Sequence, residues 1–422
     1  EVEILTLEDC LRIGIDNNLS LEGKRKEIQK SKYGVSENRS KLLPQINAIA
    51  GYNNNFDPPV SVTDGSSYGV PYNITKTLQH SANAGLEMQM PLFNQTLYTS
   101  MSIAKVMEEI SRLSYGKARE DVILQISKMY YLGQVTAEQI MLIKANITRL
   151  EELRDITQAF FDNGMSMEVD LKRVNINLEN LKVQYDNAQA MMKQQLNMLK
   201  YIMDYPAEKE IALTPVNTDS ITTVALTGLS ENIYELQLSQ SQVQLAERQK
   251  KIITNGYIPS LSLTGSWRYA AYTDKGYHWF HSGPSNQWFR SYGVGLTLRI
   301  PIFDGLDKTY KIKKAMIDIE NKRLAWEDAR KNLQTQYLNA VNDLMNNQRN
   351  FKKQKDNYLL AEDVYAVTSD RYREGIASMT EVLQDEMQMS EAQNNYISAH
   401  YNYRVTNLML LKLTGQIESL VK

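Results

Sequence analysis

The feature that most constrains the fold is a proline-free stretch at the carboxyl end, residues 302–422. About 65 residues before Gly375 have a composition that favours helix, and apolar residues such as Leu333, Tyr337 and Leu344 recur on one helix face. A helix of that length extends roughly 100 Å, whereas globular helices average ~11–12 residues. The sequence therefore predicts a long helical rod instead of a compact helical core.

A second proline-free stretch, residues 92–205, predicts that this architecture occurs twice. The stretch 92–205 is interrupted at Phe161–Gly164 and the stretch 302–422 at Tyr372–Gly375, which places the two turns about 210 residues apart. Self-similarity at that spacing indicates one duplicated unit and not several unrelated domains. We expect two structural repeats, residues 1–210 and 211–422.

Composition narrows the class of protein. The formal net charge is −2, so the charge balance gives no support for nucleic-acid binding. Cys10 is the single cysteine, which excludes an intramolecular disulfide. No run of about 18 apolar residues occurs, so no transmembrane helix is expected. The chain begins at Glu1 without a signal peptide, which fits a cytosolic protein or a mature chain whose signal has been removed.

The shorter helices follow from capping residues and proline positions. Thr6 can cap a first helix that runs from about Leu7 to Leu42, with a break near Asn17-Asn18. The return helix after the first rod covers about Ser166–Met203. A further helix is predicted over about Ser230–Asn255, at the start of the second repeat.

Four segments alternate apolar and polar residues with period two and therefore predict β-strands. A loop rich in proline and glycine separates the members of each pair, over residues 57–77 in the first repeat and 273–289 in the second. The four predicted strands cover residues 45–56, 80–90, 260–272 and 291–300.

These strands have the length and alternation of outer-membrane barrel strands, which are apolar toward lipid and polar toward the lumen. The alternative is an ordinary amphipathic sheet over a soluble core, but the helical rods offer no obvious cover for such a sheet. Four strands cannot close a barrel in lipid, so several chains must contribute. Three chains would give twelve strands and a channel, with a polar lining that includes Asn83, Glu87, Arg268 and Arg299.

The order of several short motifs resembles TolC-like outer-membrane efflux proteins (outer membrane factors). Leucine, glutamate and asparagine open the chain between Leu5 and Asn18, and Ser230-Glu231-Asn232 repeats that opening. Helix-to-strand crossings contain Leu43-Pro44-Gln45-Ile46 and Ile258-Pro259-Ser260-Leu261. Strand-to-helix crossings contain Met90-Pro91-Leu92-Phe93 and Ile300-Pro301-Ile302-Phe303-Asp304-Gly305. Each fragment is short, but their doubled order covers nearly the whole chain.

The resemblance implies a homotrimer in the bacterial outer membrane. It implies a mainly α fold with a 12-stranded β-barrel in the outer-membrane lipid and a long α-helical tunnel in the periplasm. The implied partners are a periplasmic adaptor protein and an inner-membrane transporter. No catalysis is implied, because the energy comes from the pump. We accordingly expect no catalytic, cofactor-binding or metal-binding residue.

The resemblance also indicates where the tunnel is gated. TolC-like proteins can carry two aspartates three residues apart beyond the second turn, and the matching positions here are Glu381 and Gln384. Asp385 is adjacent, about 100° round the helix from Gln384. Three symmetry-related Glu381 carboxylates would repel one another and attract cations. The alternative is a solvated surface glutamate.

The two turns predict the periplasmic mouth of the tunnel and the contacts to the adaptor. Each turn ends a long helix with a glycine, where a left-handed cap forms easily, and a plain helical-hairpin turn is the simpler interpretation. The predicted docking residues are Phe161, Gly164, Met165, Ser166, Gly375, Ile376, Ala377 and Ser378.

The sequence favours a passive exit duct of an efflux or secretion system. A conduit for secreted proteins, as in type I secretion, is a related alternative. A soluble helical scaffold is a second one, but it does not account for four strands at repeat-matched positions. The sequence leaves open the cargo, the identity of pump and adaptor, a lipid anchor before Glu1, and the open or closed state.

Overall fold

The computed structural model of the protein describes residues 2–215, 228–274 and 288–421, and helices form most of it. The helices are α1 (Leu7–Asn17), α2 (Leu19–Ser40), α3 (Gln95–Asp162), α4 (Glu168–Met203), α5 (Tyr234–Asn255), α6 (Asp307–Arg373) and α7 (Met379–Leu413). The strands are β1 (Glu3–Leu5), β2 (Gln45–Asn54), β3 (Val60–Asp64), β4 (Tyr72–Lys76), β5 (His80–Phe93), β6 (Ile211–Leu213), β7 (Ser260–Thr273) and β8 (Trp288–Arg299).

The two predicted rods are confirmed as single helices. Helix α3 has 68 residues and α6 has 67, and each is followed by a return helix, α4 or α7. At 1.5 Å per residue, either long helix extends about 100 Å. Across the described ranges, no helix combines the length and the apolar character that crossing a membrane requires.

The predicted break in the first helix lies between α1 and α2, and its cause is a side chain. Thr6 and Asp9 form the capping box that starts α1. The Asn18 side-chain oxygen accepts a hydrogen bond from the Leu21 backbone N–H at 3.1 Å, and its Nδ2 donates to the Ile202 carbonyl at 2.8 Å. Asn18 therefore caps α2 and ties this corner to the end of α4.

The four predicted strands form one antiparallel sheet in the order β2-β5-β7-β8. The prediction that Pro91 ends the second strand is wrong. Pro91 lies within β5 opposite Ser262, and the register shifts between Pro91 and Phe93. A shift of this kind lets a central strand accommodate a residue that lacks a backbone N–H donor.

The segment predicted as an irregular loop, residues 57–77, contains a hairpin instead. Strands β3 and β4 pair antiparallel, with Val62 opposite Ile74. Its apolar residues alternate with period two, and the prolines and glycines that suggested a loop lie mostly outside the two strands. Of the second predicted loop, residues 275–287 lie outside the described part of the chain.

The chain divides into two compact units, and each draws on both halves of the sequence. Unit 1 comprises Glu1–Ile28, Ile110–Gln240 and Arg323–Lys422, and unit 2 comprises Gln29–Glu109 and Ser241–Lys322. Leu11, Ile126 and Leu410 belong to the largest apolar cluster of unit 1. In that cluster α1 packs so closely that a Cβ on Gly14 would overlap Ile126 Cδ1. Unit 2 contains the four-stranded sheet and the helix segments adjoining it.

One buried carboxyl in unit 1 makes stability depend on pH. Glu120 on α3 is only 5 % exposed. Burial raises the pKa of Glu120 from 4.5 to about 7; Lys412 lowers the pKa, while Glu418 and Asp121 raise it further. The folded chain therefore retains a proton that the unfolded chain has already released, so stability falls as the pH rises from about 4.5 through 7.

The first prediction concerns the corner between α1 and α2. Asn18→Ala should destabilise the protein by about 1–2 kcal/mol, because it removes a helix cap and leaves the Ile202 carbonyl without its donor. Asn17→Ala is the matched control, since Asn17 is exposed, and it should change stability by less than about 0.5 kcal/mol. The measurement is the helical unfolding transition by circular dichroism in detergent. Equal effects of the two substitutions would contradict the assignment.

The second prediction concerns Glu120. Glu120→Gln keeps the shape of the neutral acid but cannot ionise, so the variant should gain stability over the native chain as pH rises from 5 to 8. One pKa unit corresponds to about 1.36 kcal/mol, so the shift from 4.5 to about 7 sets an upper value of about 3 kcal/mol. Unfolding transitions of both proteins across this pH range provide the measurement. A difference that stays constant with pH would refute the role assigned to Glu120.

Candidate functional site

The two turns that follow α3 and α6 have the same backbone geometry. Gly164 has a φ of +73° and Gly375 a φ of +75°, the left-handed conformation that glycine adopts without strain. The Met165 N–H bonds the Phe160 carbonyl at 2.8 Å, and the Ile376 N–H bonds the Arg371 carbonyl at 2.8 Å. The Gly164 N–H also donates to the Phe161 carbonyl and the Gly375 N–H to the Tyr372 carbonyl, both at 2.9 Å. Each pair of bonds forms a Schellman motif, one at the end of α3 and one at the end of α6.

The predicted docking residues form two groups by exposure. Met165 and Ile376 expose 67 % and 63 % of their surface, and Phe161, Gly164, Gly375 and Ser378 are exposed as well. Ser166 is half-buried, and its Oγ has no hydrogen-bond partner within the described ranges. Ala377 is buried in the apolar cluster that also contains Met379 and Val382. The tips thus present exposed apolar side chains beside rigid turns.

The three predicted gate residues differ in their surroundings. Ser378 caps α7, and the Glu381 carboxylate accepts a hydrogen bond from the Ser378 backbone N–H at 3.0 Å, which completes a capping box. Glu381 and Gln384 are exposed, whereas Asp385 is half-buried. Glu381 is therefore a structural residue of this helix start while its charge faces solvent.

Gln384 also borders a groove between α4 and α7. The groove has a volume of about 310 Å³, and Ile176, Leu383 and Met387 contribute its apolar wall. Arg173 lies at its edge and donates to the Thr380 hydroxyl at 3.2 Å. This apolar groove, with the Arg173–Thr380 hydrogen bond at its edge, lies directly beside the predicted gate residues.

Contacts that the sequence analysis missed tie α6 to α3 just before the second turn. The Tyr372 hydroxyl lies 3.3 Å from Thr157 Oγ1, and both side chains are buried. The Tyr372 ring also packs against Phe160, with ring centroids 5.7 Å apart. Arg373 reaches Glu152 at 3.5 Å. The tip of α6 is thus held to α3 by one buried and one exposed polar contact.

A buried acid lies further along α7. Glu386 is 5 % exposed, and its Oε1 has no hydrogen-bond partner in the part of the chain that the structure describes. Burial raises its pKa. Arg149 offsets part of that pKa shift and also pairs with Glu362 at 3.4 Å. Next to it, Asn146 donates to Gln393 at 2.7 Å. The sequence does indicate this buried acid, because Glu386 follows the buried residues Met379 and Val382 at helical spacing.

The polar face of the four-stranded sheet carries the predicted lumen residues. Arg268 and Glu87 form an ion pair across β7 and β5, and a Cβ on Gly85 would lie 2.9 Å from the Arg268 side chain. Asn83 projects beside Gly51, where a Cβ would lie 2.9 Å from the amide oxygen. Arg299 lies opposite Ser260 at the end of β8. Glycines therefore leave room for the larger polar side chains on this face.

Nothing in the described ranges resembles a metal centre. No group of three or more histidine, cysteine, aspartate or glutamate side chains there could hold a metal ion. His278 and His281 fall outside those ranges. His400 is buried, accepts a hydrogen bond from Arg404 Nε at 2.9 Å, and packs against Phe351. Its surroundings are those of a residue that stabilises helix packing.

Comparison with known proteins identifies the family. The family model described as "Outer membrane efflux protein" matches twice, over residues 13–203 and 225–416. The chain is similar to the outer membrane protein TolC of Vibrio cholerae serotype O1, with 21 % identity over 399 residues that cover 91 % of this chain and 84 % of the relative. It is also similar to a probable efflux pump outer membrane protein, TtgC of Pseudomonas putida, with 23 % identity over 85 % of this chain and 75 % of the relative.

The fold has a close match among solved structures. The channel protein CusC superimposes with a TM-score of 0.80 at 16 % identity, over 97 % of this chain and 91 % of CusC. At this identity the likeness concerns the fold alone. The two matched segments of the family model cover most of the chain, and the family consists of channel-forming efflux ducts and not of enzymes. This chain belongs to the outer membrane efflux protein family and is an exit duct of the outer membrane.

Proposed function

We propose that the protein works as a homotrimer: a passive duct whose three sheets close into one 12-stranded barrel above an α-helical tunnel. In this proposal, a periplasmic adaptor and an inner-membrane transporter deliver substrates to the tips. The duct itself carries out no catalysis, because the transporter supplies the energy. We further propose that residues 1–210 and 211–422 are duplicated units, each supplying two strands of the sheet and one long helix.

The observation that carries this proposal is the uncovered apolar face of the sheet. Tyr292, Val294 and Leu296 on β8 expose 76 %, 80 % and 66 % of their surface, and Ile46 on β2 exposes 65 %. A contiguous apolar surface of this kind marks contact with a membrane or a partner. The opposite face carries Glu87, Arg268 and small polar residues, as a water-filled lumen requires.

The sheet edges support closure with other copies. Strands β2 and β8 are the two ends of the sheet, so each has one edge without a partner strand among the described residues. In lipid such an edge leaves backbone N–H and C=O groups unpaired at a cost of several kcal/mol per group. The four strands alternate in direction, so β8 of one copy can pair antiparallel with β2 of the next. Three copies then form an all-antiparallel barrel wide enough for a lumen.

The helices also carry surface that further copies would bury. Ile176, Val183, Met191 and Met198 follow one face of α4, and each exposes between 47 % and 61 % of its surface. Their spacing of seven or eight residues is that of a helix-packing stripe. Such a stripe supports association of the helices in a symmetric oligomer.

The test of the proposed assembly is the particle mass. Light scattering on the detergent-solubilised protein, after separation of inner and outer membranes, should give a protein mass three times the 48.4 kDa of one chain, and only from the outer-membrane fraction. A water-soluble monomer would overturn both the barrel and the duct. A two-chain particle would overturn the proposed trimer, because side chains fill the interior of an eight-stranded barrel.

At the tips we propose that Glu381 contributes a carboxylate ring to the closed entrance. Glu381→Ala should loosen the closed state and raise single-channel conductance in planar bilayers. The reason is that the variant lacks the three carboxylates that would hold a bridging cation at the entrance. Glu381→Gln is the discriminating variant, since glutamine completes a capping box without charge. If the ring operates, both variants raise conductance and weaken its response to divalent cations.

The capping role alone predicts a different pattern. Glu381→Ala would then lower the thermal stability of the tip, because the Ser378 N–H loses its acceptor, while Glu381→Gln would behave like the native protein. Native conductance and native cation response in Glu381→Gln would therefore refute the charge ring.

A further inference from the structure

The two compact units differ strongly in charge. Unit 2 carries 18 lysines and arginines against 12 aspartates and glutamates, a net charge of +6, although the whole chain has a net charge of −2. The excess is therefore located in the unit that contains the membrane sheet. A positive excess beside a membrane segment indicates attraction to anionic groups at the membrane surface.

Within unit 2 the positive charge concentrates where helices meet strands. The stretches 39–44, 247–259 and 300–314 adjoin the ends of β2, β7 and β8, and they contain three acidic residues, Glu247, Asp304 and Asp307. The basic residues in the same stretches are Arg39, Lys41, Arg248, Lys250, Lys251, Lys308, Lys311, Lys313 and Lys314. We call this set the basic collar.

The first turns of α6 carry two lysines that have no acidic partner in the described part of the chain. Lys308 pairs with Asp304 at 2.9 Å, and Lys311 pairs with Asp307 at 2.6 Å. Lys313 and Lys314 are exposed, and neither has an acidic partner among the described residues. Lys313 instead lies over the Tyr310 ring, 5.6 Å from its centroid. Two adjacent ammonium groups are thus available to an external anion.

Exposed apolar side chains lie between these lysines and the sheet. Ile300 and Ile302 continue the alternation of β8 and expose 56 % and 94 % of their surface, and Phe303 exposes 81 %. Tyr310 and Tyr257 follow, exposed to 61 % and 43 %, and Lys308 lies over the Tyr257 ring. The order along this segment is apolar strand, exposed apolar junction, tyrosines and then lysines. The same order of groups is expected across a lipid interface, from hydrocarbon to headgroup.

We propose that the basic collar, through Lys313 and Lys314 in particular, binds the anionic headgroups of phospholipids in the periplasmic leaflet of the outer membrane. The proposal rests on the outer-membrane location and on the sheet crossing that membrane. The ammonium groups neutralise lipid phosphates while Ile302, Phe303 and Tyr310 enter the adjoining acyl boundary. This contact fixes the depth at which the strands turn into helices.

The charge of the lysines and the exposure of the apolar junction together favour anionic phospholipid over the cell wall, which is an anionic polymer. A cell-wall carboxylate would account for the lysines, but it offers nothing for side chains as exposed as Ile302 and Phe303. A phospholipid supplies both a phosphate and a hydrocarbon surface. The apolar junction and the two lysines lie on one segment, residues 300–314. In this proposal a single phospholipid contacts both.

The experiment measures lipid binding to the purified full-length oligomer in an uncharged detergent. Native mass spectrometry gives apparent association constants for dioleoyl phosphatidylglycerol and dioleoyl phosphatidylcholine. The test variant is Lys313→Gln/Lys314→Gln. The matched control is Lys352→Gln/Lys353→Gln, another exposed pair of adjacent lysines 39 residues further along α6. The native protein should prefer phosphatidylglycerol, and 0.5 M NaCl, about 4 Å of Debye screening, should remove most of that preference.

Loss of each lysine should weaken phosphatidylglycerol binding about fivefold, whereas the control pair should bind like the native protein. Equal binding by the test and control variants would overturn the proposal. So would a test variant that loses binding to purified cell-wall sacculi while its phosphatidylglycerol binding stays native. Conductance in a neutral planar bilayer separates this inference from the proposed function. A protein that conducts but has no preference for phosphatidylglycerol refutes the collar alone, and one that never conducts refutes the duct.

Discussion

The pairing of backbone hydrogen-bonding groups in lipid is the constraint on which the rest of this protein depends. Among the described residues, the four-stranded sheet has two edges without a partner strand and an exposed apolar face, and such edges leave backbone groups unpaired in hydrocarbon. In the proposed trimer, further copies would pair these edges and the apolar face would contact lipid. The exposed apolar stripe on α4 would be covered in the same assembly.

The helix tips combine an apolar cluster, which contains Tyr372 and Val382, with polar contacts between α3 and α6. These polar contacts join Thr157 to Tyr372 and Glu152 to Arg373. Hydrogen bonds of this type contribute about 1 kcal/mol each, so a partner can exchange them at modest cost. Glu381 combines a capping bond with an exposed charge, and in the proposed gate this charge lies at the tunnel entrance.

Charge is distributed along the chain according to its surroundings. On the polar face of the sheet, Arg268 pairs with Glu87 along the wall and lies over Gly85, so two charges remain close to the sheet. Near the end of β8, Lys308 and Lys311 pair with aspartates, whereas Lys313 and Lys314 have no acidic partner among the described residues. In the proposed trimer, the neutral pair would line the lumen that cargo passes, and Lys313 and Lys314 would contact lipid headgroups.

The sequence by itself determined the long helices, the four strands and the family, because proline-free length, period-two alternation and the doubled crossing motifs are local signals. It misassigned residues 57–77 and the end of β5, since prolines and glycines hide a hairpin and a register shift that strand pairing decides. Tertiary structure alone placed Tyr372 against Thr157, buried Glu386 and Glu120, and left Lys313 and Lys314 without acidic partners among the described residues. These features depend on which distant helices pack together, and spacing along one chain does not encode such neighbours.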